Sequence, residues 1–83
     1  MEKSNTFEVL LSSINDVKRF VNAACEQPFD IDIVSGRYII DAKSIMGLFS
    51  IDLSKPIKVA VYGTPADCDG FKAAVADFIR SAE

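Results

Sequence analysis

The spacing of the apolar residues changes repeatedly along this chain, and this change is the feature that most restricts its fold. Residues 6–12 and 57–62 alternate apolar and polar positions, which is the period of a strand with one buried face. Between and after these segments, apolar residues recur every three or four positions, as on an amphipathic helix. A chain with both periods is expected to build a sheet covered by helices on one face.

The pattern predicts the element order β-α-β-β-α-β-α. Strands are predicted over residues 6–12, 29–34, 37–41 and 57–62, and helices over residues 14–27, 45–49 and 65–79. Pro28 ends the first helix, because the residue before a proline avoids the helical region. Ser35 and Gly36 supply a tight turn between the second and third strands. Thr64 and Asp67 provide a capping-box-like start for the last helix.

The same pattern predicts which side chains form the core. On the strands, the inward positions are Phe7, Val9, Leu11, Phe29, Ile31, Ile33, Ile57, Val59 and Val61. The first helix has the stripe Ile14, Val17, Phe20, Val21, Ala24 and Cys25, and the last has Cys68, Phe71, Val75, Phe78 and Ile79. Ser12 and Ser13 offer a hydroxyl cap to the first helix, and Asp16 suits the positive end of its dipole.

Composition indicates one globular domain over residues 1–83, since 49% of the residues are hydrophobic and 25% are charged. A net charge of −3 argues against nucleic acid and anionic membranes as partners. The polar opening residues and the absence of a long apolar run predict a cytoplasmic protein. Cys25 and Cys68 are expected to be buried thiols, and two thiols without histidine predict no metal site.

Periodicity alone therefore predicts an α+β fold with an antiparallel sheet and helices on one side. It does not separate the alternatives that share this element order, among them a ferredoxin-like module.

The middle of the chain resembles HPr, the histidine-containing phosphocarrier family of the bacterial sugar phosphotransferase system. Ser35, Gly36 and Arg37 look like the family's hairpin turn. The run AKSIMG over residues 42–47 is similar to the family's stretch around its regulatory serine. The resemblance implies an open-faced sandwich, in which a four-stranded antiparallel sheet carries three helices on one face.

The chain contains no histidine, although the family's reaction requires one as the nucleophile. Ser13 lies nearest to the place of the lost histidine, and residues 11–16 contain neither the arginine nor the proline that follow it in the family. A phosphoserine is a stable ester, whereas the relay needs a labile phosphoramidate. We therefore predict no phosphohistidine transfer, no catalytic residue, no enzyme activity and no cofactor.

Ser44 corresponds to the family's regulatory serine. The resemblance implies that an HPr-type kinase phosphorylates it and that a transcriptional regulator binds the product. A serine at a helix start also has a purely structural explanation, because it is a favoured N-cap. Ile45, Leu48 and Phe49 are expected to face the core and Met46 to point outward. By resemblance, the protein-docking residues are Ile45, Met46, Gly47 and Phe49.

These observations predict a non-catalytic HPr-like regulatory or docking protein. The alternative is a small-molecule-binding or scaffold module that has kept only the fold. An exposed apolar patch formed by Met46 and the end of the first helix would favour docking, whereas a concave, partly polar pocket elsewhere would favour a ligand.

Overall fold

The strands and helices follow the predicted order, and a short fifth strand is added at the end. The computed structural model describes residues 5–80. The polar opening residues 1–4 and the last three residues of the expected domain, 81–83, lie outside this range. The elements are β1 Asn5–Val9, α1 Ile14–Cys25, β2 Asp30–Ser35, β3 Tyr38–Asp41, α2 Ile45–Phe49, β4 Ile57–Tyr62, α3 Pro65–Ala74 and β5 Ile79–Arg80.

The strands form one antiparallel sheet in the order β3-β2-β4-β1-β5. In the register, Val59 of β4 lies opposite Phe7 on one side and opposite Ile33 on the other. Residues that are paired in this way project from the same face of a sheet. The strand positions predicted to point inward therefore share one face.

The helices cover this inward face and bury it. Phe20 of α1 and Phe71 of α3 meet edge to face, with their ring centroids 5.6 Å apart. Phe71 also contacts Phe7 of β1, at a centroid distance of 6.1 Å. The core comprises Val9, Leu11, Val17, Phe20, Val21, Ala24, Ile31, Ile33, Ala42, Leu48, Ile57, Val59, Val61, Cys68, Phe71, Val75 and Phe78.

The turn between β2 and β3 depends on Gly36, which adopts φ +60°. Glycine reaches this left-handed region without the steric cost that a Cβ atom adds. Ser35 and Tyr38 close the hairpin as directly paired residues. The predicted hairpin is confirmed, but its two turn residues are Gly36 and Arg37, one residue later than the predicted Ser35 and Gly36. The length of the turn determines the register of the two strands.

The first strand and the last helix both end earlier than predicted, and the segments that follow them are hydrogen-bonded to each other. The prediction extended the last helix to Ile79 and the first strand to residue 12, and both extensions are wrong. Residue Leu10 donates its N–H to the carbonyl oxygen of Phe78 at 2.8 Å. The helix therefore stops at Ala74, a 3-10 turn over Ala76–Phe78 follows, and β5 pairs with β1.

Two residues on the predicted stripe of α1 are not in the core. Ile14 and Cys25, the first and last residues of the helix, are exposed, while Val17, Phe20, Val21 and Ala24 between them are buried. The sheet beneath α1 covers its middle and leaves its ends open. No helix within residues 5–80 is long and apolar enough to cross a membrane.

Candidate functional site

The N-terminus of α1 holds the position nearest to the lost histidine, and its polar groups satisfy one another. The hydroxyl of Ser13 accepts a hydrogen bond from the N–H of Asp16 at 3.1 Å. The Asp16 carboxylate accepts from the N–H and the hydroxyl of Ser12, at 3.1 and 3.0 Å. The backbone hydrogen bond from Ser12 is the largest cause that lowers the pKa of Asp16. The start of α1 therefore contains a carboxylate, and its cap is formed by residues of the same segment.

Ser44 caps α2, as expected, and is half-buried. Its hydroxyl accepts a hydrogen bond from the N–H of Gly47 at 3.2 Å. The turn sits against β3, since a Cβ atom at Gly47 would lie 2.6 Å from Cγ2 of Ile40. Gly47 therefore allows the close approach that places Ser44 at the edge of the sheet.

Lys43 precedes Ser44, and its ammonium group binds the backbone near the end of α1. Its Nζ donates to the carbonyl oxygen of Gln27 at 3.0 Å, just beyond the end of α1. A cation at a helix C-terminus is stabilised by the carbonyl groups that end the helix. Lys43 therefore connects the end of α1 to the start of α2.

The predicted core face of α2 is correct for Leu48 and wrong for Phe49. Leu48 is fully buried, and Ile45 packs half-buried against the core. Phe49 remains 43% exposed and Met46, as predicted, is exposed at 75%. Phe49 is the last residue of α2, so it lies at the end of the helix, where the core covers it only in part.

Ile14 and Phe49 line one apolar cleft between the start of α1 and the end of α2. The cleft encloses about 450 Å³, and its walls are Leu10, Leu11, Ser12, Ser13, Ile14, Val17, Phe49, Leu53 and Ser54. Ile14 is 65% exposed at its rim. Met46 lies one turn before Phe49, on the same side of α2. We call Ile14, Met46 and Phe49 the apolar rim.

The structure thus brings some of the predicted site residues together and separates others. Ser13 and Phe49 line the same cleft. Ser44 lies at the other end of α2, where the Cys25 thiol approaches the carbonyl oxygen of Lys43 at 3.7 Å. Sequence reasoning missed Ile14 and Leu53 as site residues. The available signal was the place of Ile14 as the first residue after the helix cap, where core cover is least complete.

The side chain of Arg19 on α1 is engaged within the fold. Arg19 binds Asp77 at 2.9 Å, and its guanidinium lies 4.9 Å from the ring centroid of Phe78. It therefore ties α1 to the 3-10 turn that follows α3.

Both cysteines are free thiols, and only one is buried as predicted. Burial raises the pKa of Cys68, and the prediction of a buried Cys25 is wrong because this residue ends α1 beyond the core. Among the residues that the structure describes, no group of three carboxylate, thiol or imidazole side chains is placed to hold a metal ion.

A second concave region lies at the other end of the sheet, between the β2–β3 hairpin and the loop before β4. It encloses about 770 Å³ and is lined by Glu8, Val34, Ser35, Gly36, Tyr38, Ile40, Ser50, Ile51, Asp52, Lys55, Pro56 and Lys58. Its walls mix apolar, hydroxyl and charged side chains of both signs. It shares no lining residue with the apolar cleft.

Comparison with known proteins identifies the fold. No protein-family model matches the chain, and neither does any curated protein. Among solved structures, the phosphocarrier protein HPr from Bacillus anthracis str. Ames is similar at 24% identity and a TM-score of 0.72, over 95% of this chain and 100% of that chain. HPr-C-His from Thermoanaerobacter tengcongensis is 26% identical with a TM-score of 0.70, over 92% of this chain and 89% of that chain.

These similarities show that the protein has the HPr-like open-faced sandwich fold, with a four-stranded antiparallel sheet and three helices. The added β5 extends that sheet by two residues at the edge next to β1.

Proposed function

We propose that this chain is a non-catalytic relative of the phosphotransferase-system phosphocarriers, which docks onto protein partners and is regulated by phosphorylation of Ser44. The apolar rim carries the proposal. Ile14, Met46 and Phe49 are large apolar side chains of two neighbouring helices, and all three are exposed. Exposed apolar groups that cluster around a cleft are typical of protein-contact surfaces.

The same region supports the loss of phosphoryl transfer. The chain has no imidazole, and Ser13 would have to act as the nucleophile. Its hydroxyl already caps α1, and the Asp16 carboxylate beside it would repel an incoming phosphoryl group. The Ser13 hydroxyl also occupies the N–H of Asp16, which removes one of the donors that a phosphate would use at this helix start.

Ser44 supports regulation through a different environment. Its hydroxyl caps α2, and no acidic residue lies in the first turn of that helix. A phosphate there would meet the N–H of Gly47 without a carboxylate in the same turn. It would also add negative charge at the start of α2, two residues before Met46 in the sequence.

Phosphorylation assays separate the two halves of the proposal. Incubation with HPr kinase and ATP should add one phosphate, detected by intact mass, to the wild type and to Ser50→Ala, but none to Ser44→Ala. Enzyme I with phosphoenolpyruvate should add none, while a histidine-bearing HPr in the same tube is labelled. A kinase-inert wild type contradicts regulation at Ser44, and label from phosphoenolpyruvate contradicts the non-catalytic role.

A second candidate function is supported by the concave region beside the hairpin. Its 770 Å³ and its mixed lining, including Tyr38, Lys55 and Lys58, fit a small polar ligand on an HPr-like scaffold. A screen of metabolites by NMR distinguishes this candidate. Saturable shifts confined to the hairpin and residues 50–58, with none at the apolar rim, favour the ligand-binding module.

A further inference from the structure

The sheet face opposite the helices is uncovered and carries an unusual set of side chains. The register places Asp32 beside Asp41 and Asp30 beside Tyr62, on the pleats that alternate with the buried Ile31 and Ile33. Ile39 shares this open face, because it lies two residues before Asp41 on β3. We call Asp30, Asp32, Ile39, Asp41 and Tyr62 the open-face patch.

The carboxylates of the patch are not paired with an opposite charge, unlike the acidic residue in the neighbouring cross-strand pair. Asp32 and Asp41 are directly opposite each other, an arrangement of like charges that destabilises a sheet. Within the described part of the chain, the one ion pair is Arg19–Asp77, so neither carboxylate has a cationic partner there. In the next row, Glu8 lies opposite Lys58. The repulsion is therefore specific to the patch.

The fold uses these aspartates only as hydrogen-bond acceptors. Asp41 Oδ1 accepts from the backbone N–H of Lys43 at 2.9 Å. Burial, followed by the neighbouring Asp32 side chain, raises the pKa of Tyr62. An asparagine oxygen could accept the hydrogen bond from Lys43 without the charge. The negative charge is therefore not required by the geometry of this contact, while it adds repulsion across the strands.

The patch also has the apolar component of a contact surface. Ile39 is 68% exposed and Tyr62 is 50% exposed. Between the strands, Asp30, Asp32, Asp41 and Tyr62 line a shallow hollow of about 410 Å³. Aromatic and aliphatic anchors beside uncompensated charge form a surface that favours a partner with the opposite charge.

From this complementarity we infer that the open-face patch is a second docking surface, which binds a segment of another protein with arginine or lysine residues beside apolar ones. Basic side chains of that segment pair with Asp32 and Asp41, and its apolar side chains pack on Ile39 and Tyr62. The same charge repels nucleic acid, anionic lipid and the equivalent face of a second copy. The surface lies on the opposite side of the sheet from the apolar rim, so it does not depend on the proposed function.

The test is an NMR titration of the labelled protein with a synthetic peptide in which arginine and leucine alternate. Amide shifts are expected in β2, β3 and β4. The double variant Asp32→Asn/Asp41→Asn should weaken binding at least about tenfold, the scale expected for close charge pairs. The control Glu26→Gln/Asp69→Asn removes the same charge from two exposed positions, the C-cap of α1 and a residue of α3, and should leave the affinity unchanged. A glutamate–leucine peptide should cause no shifts.

Three outcomes would overturn the inference: equal loss in the control variant, unchanged affinity in the patch variant, or shifts that lie on α1 and α2. Calcium chloride alone producing the same shifts would instead identify a cation site and also overturn it. The patch variant should melt at or above the temperature of the wild type, because it keeps both acceptors and loses the repulsion. A lower melting temperature contradicts the argument that the fold does not need these charges.

Discussion

The N-termini of α1 and α2 are both capped by a serine, and they differ in charge. At α1, the Asp16 carboxylate binds Ser12 and stands beside the cap of Ser13. At α2, Ser44 caps a turn with no acidic residue, and the turn is held against β3 through Gly47. The first site holds a carboxylate within its first turn, whereas at the second the neighbouring carboxylate, Asp41, lies before the helix and binds the N–H of Lys43. Two serine caps that make the same hydrogen bond, to the N–H three residues on, can therefore differ in which of them tolerates a phosphate.

Gly47→Ala should produce the largest change, because it disturbs the packing on which the Ser44 site depends. The new Cβ atom would lie 2.6 Å from Cγ2 of Ile40. Overpacking of this kind costs about 1–3 kcal/mol, and the better helix propensity of alanine returns at most ~1 kcal/mol. Urea unfolding followed by circular dichroism measures the loss of free energy of unfolding.

Gly70→Ala in α3 is the matched control for that substitution. No atom lies within 4 Å of its added Cβ. The alanine should raise the free energy of unfolding by about 0.5–1 kcal/mol through helix propensity alone. If both alanine variants are stabilised, α2 is not packed closely against β3.

Aspartate substitutions at the two caps test whether the caps differ in how well they tolerate a negative charge. Ser44→Asp keeps a good N-cap residue and meets no acid in its turn, so its stability should stay near that of the wild type. Ser13→Asp places a second carboxylate next to Asp16 and should be slightly less stable than Ser44→Asp, because the two exposed carboxylates repel each other. Thermal unfolding at low and high salt provides the measurement. Equal stabilities of the two variants at low salt would contradict the proposed difference in charge between the two caps.

The smallest expected effect is the pH dependence of the α1 cap. Hydrogen bonds from Ser12 lower the pKa of Asp16 below its usual value near 3.8. The folded state therefore holds this carboxylate ionised more strongly than the unfolded state does. Its stabilising contribution is complete above the unfolded pKa and disappears as the pH falls through the lower folded pKa.

Melting temperatures of the wild type and Asp16→Asn, measured from pH 6 downward, should converge at the acidic end of the scan. Asp52 has its pKa lowered by Ser54 in the loop before β4, so Asp52→Asn serves as an acid-sensitive control away from α1. A constant difference between the wild type and Asp16→Asn across the scan would show that ionisation of Asp16 does not stabilise the cap.

The features that sequence reasoning predicted correctly are local ones. The Thr64 hydroxyl accepts from the N–H of Asp67, and the Asp67 carboxylate accepts from the N–H of Thr64, as the capping-box pattern indicates. The turn at Gly36 is likewise defined by adjacent residues. The partners in such motifs are at most three residues apart in the sequence, so the local sequence is nearly sufficient to predict them.

The features that were predicted wrongly depend on distant residues. Phe78 continues the apolar stripe of α3, yet its carbonyl oxygen binds the N–H of Leu10 at the other end of the chain. Ile14 continues the stripe of α1 and is exposed because the core does not extend to it. The pair Asp32–Asp41 was also missed, because the predicted turn at Ser35 and Gly36 would place Asp32 opposite Ile39, and the observed turn lies one residue later.

The sequence by itself determined the order of strands and helices, the caps of each helix and the absence of an imidazole nucleophile. These properties follow from the periodicity of apolar residues, from short-range hydrogen bonds and from residue identity. Only the tertiary structure decided that Phe49 and Ile14 form one exposed rim, that Lys43 binds the end of α1 and that Asp32 and Asp41 share an uncovered face. Each of these depends on which surfaces the core covers, and burial is a property of the packed chain as a whole.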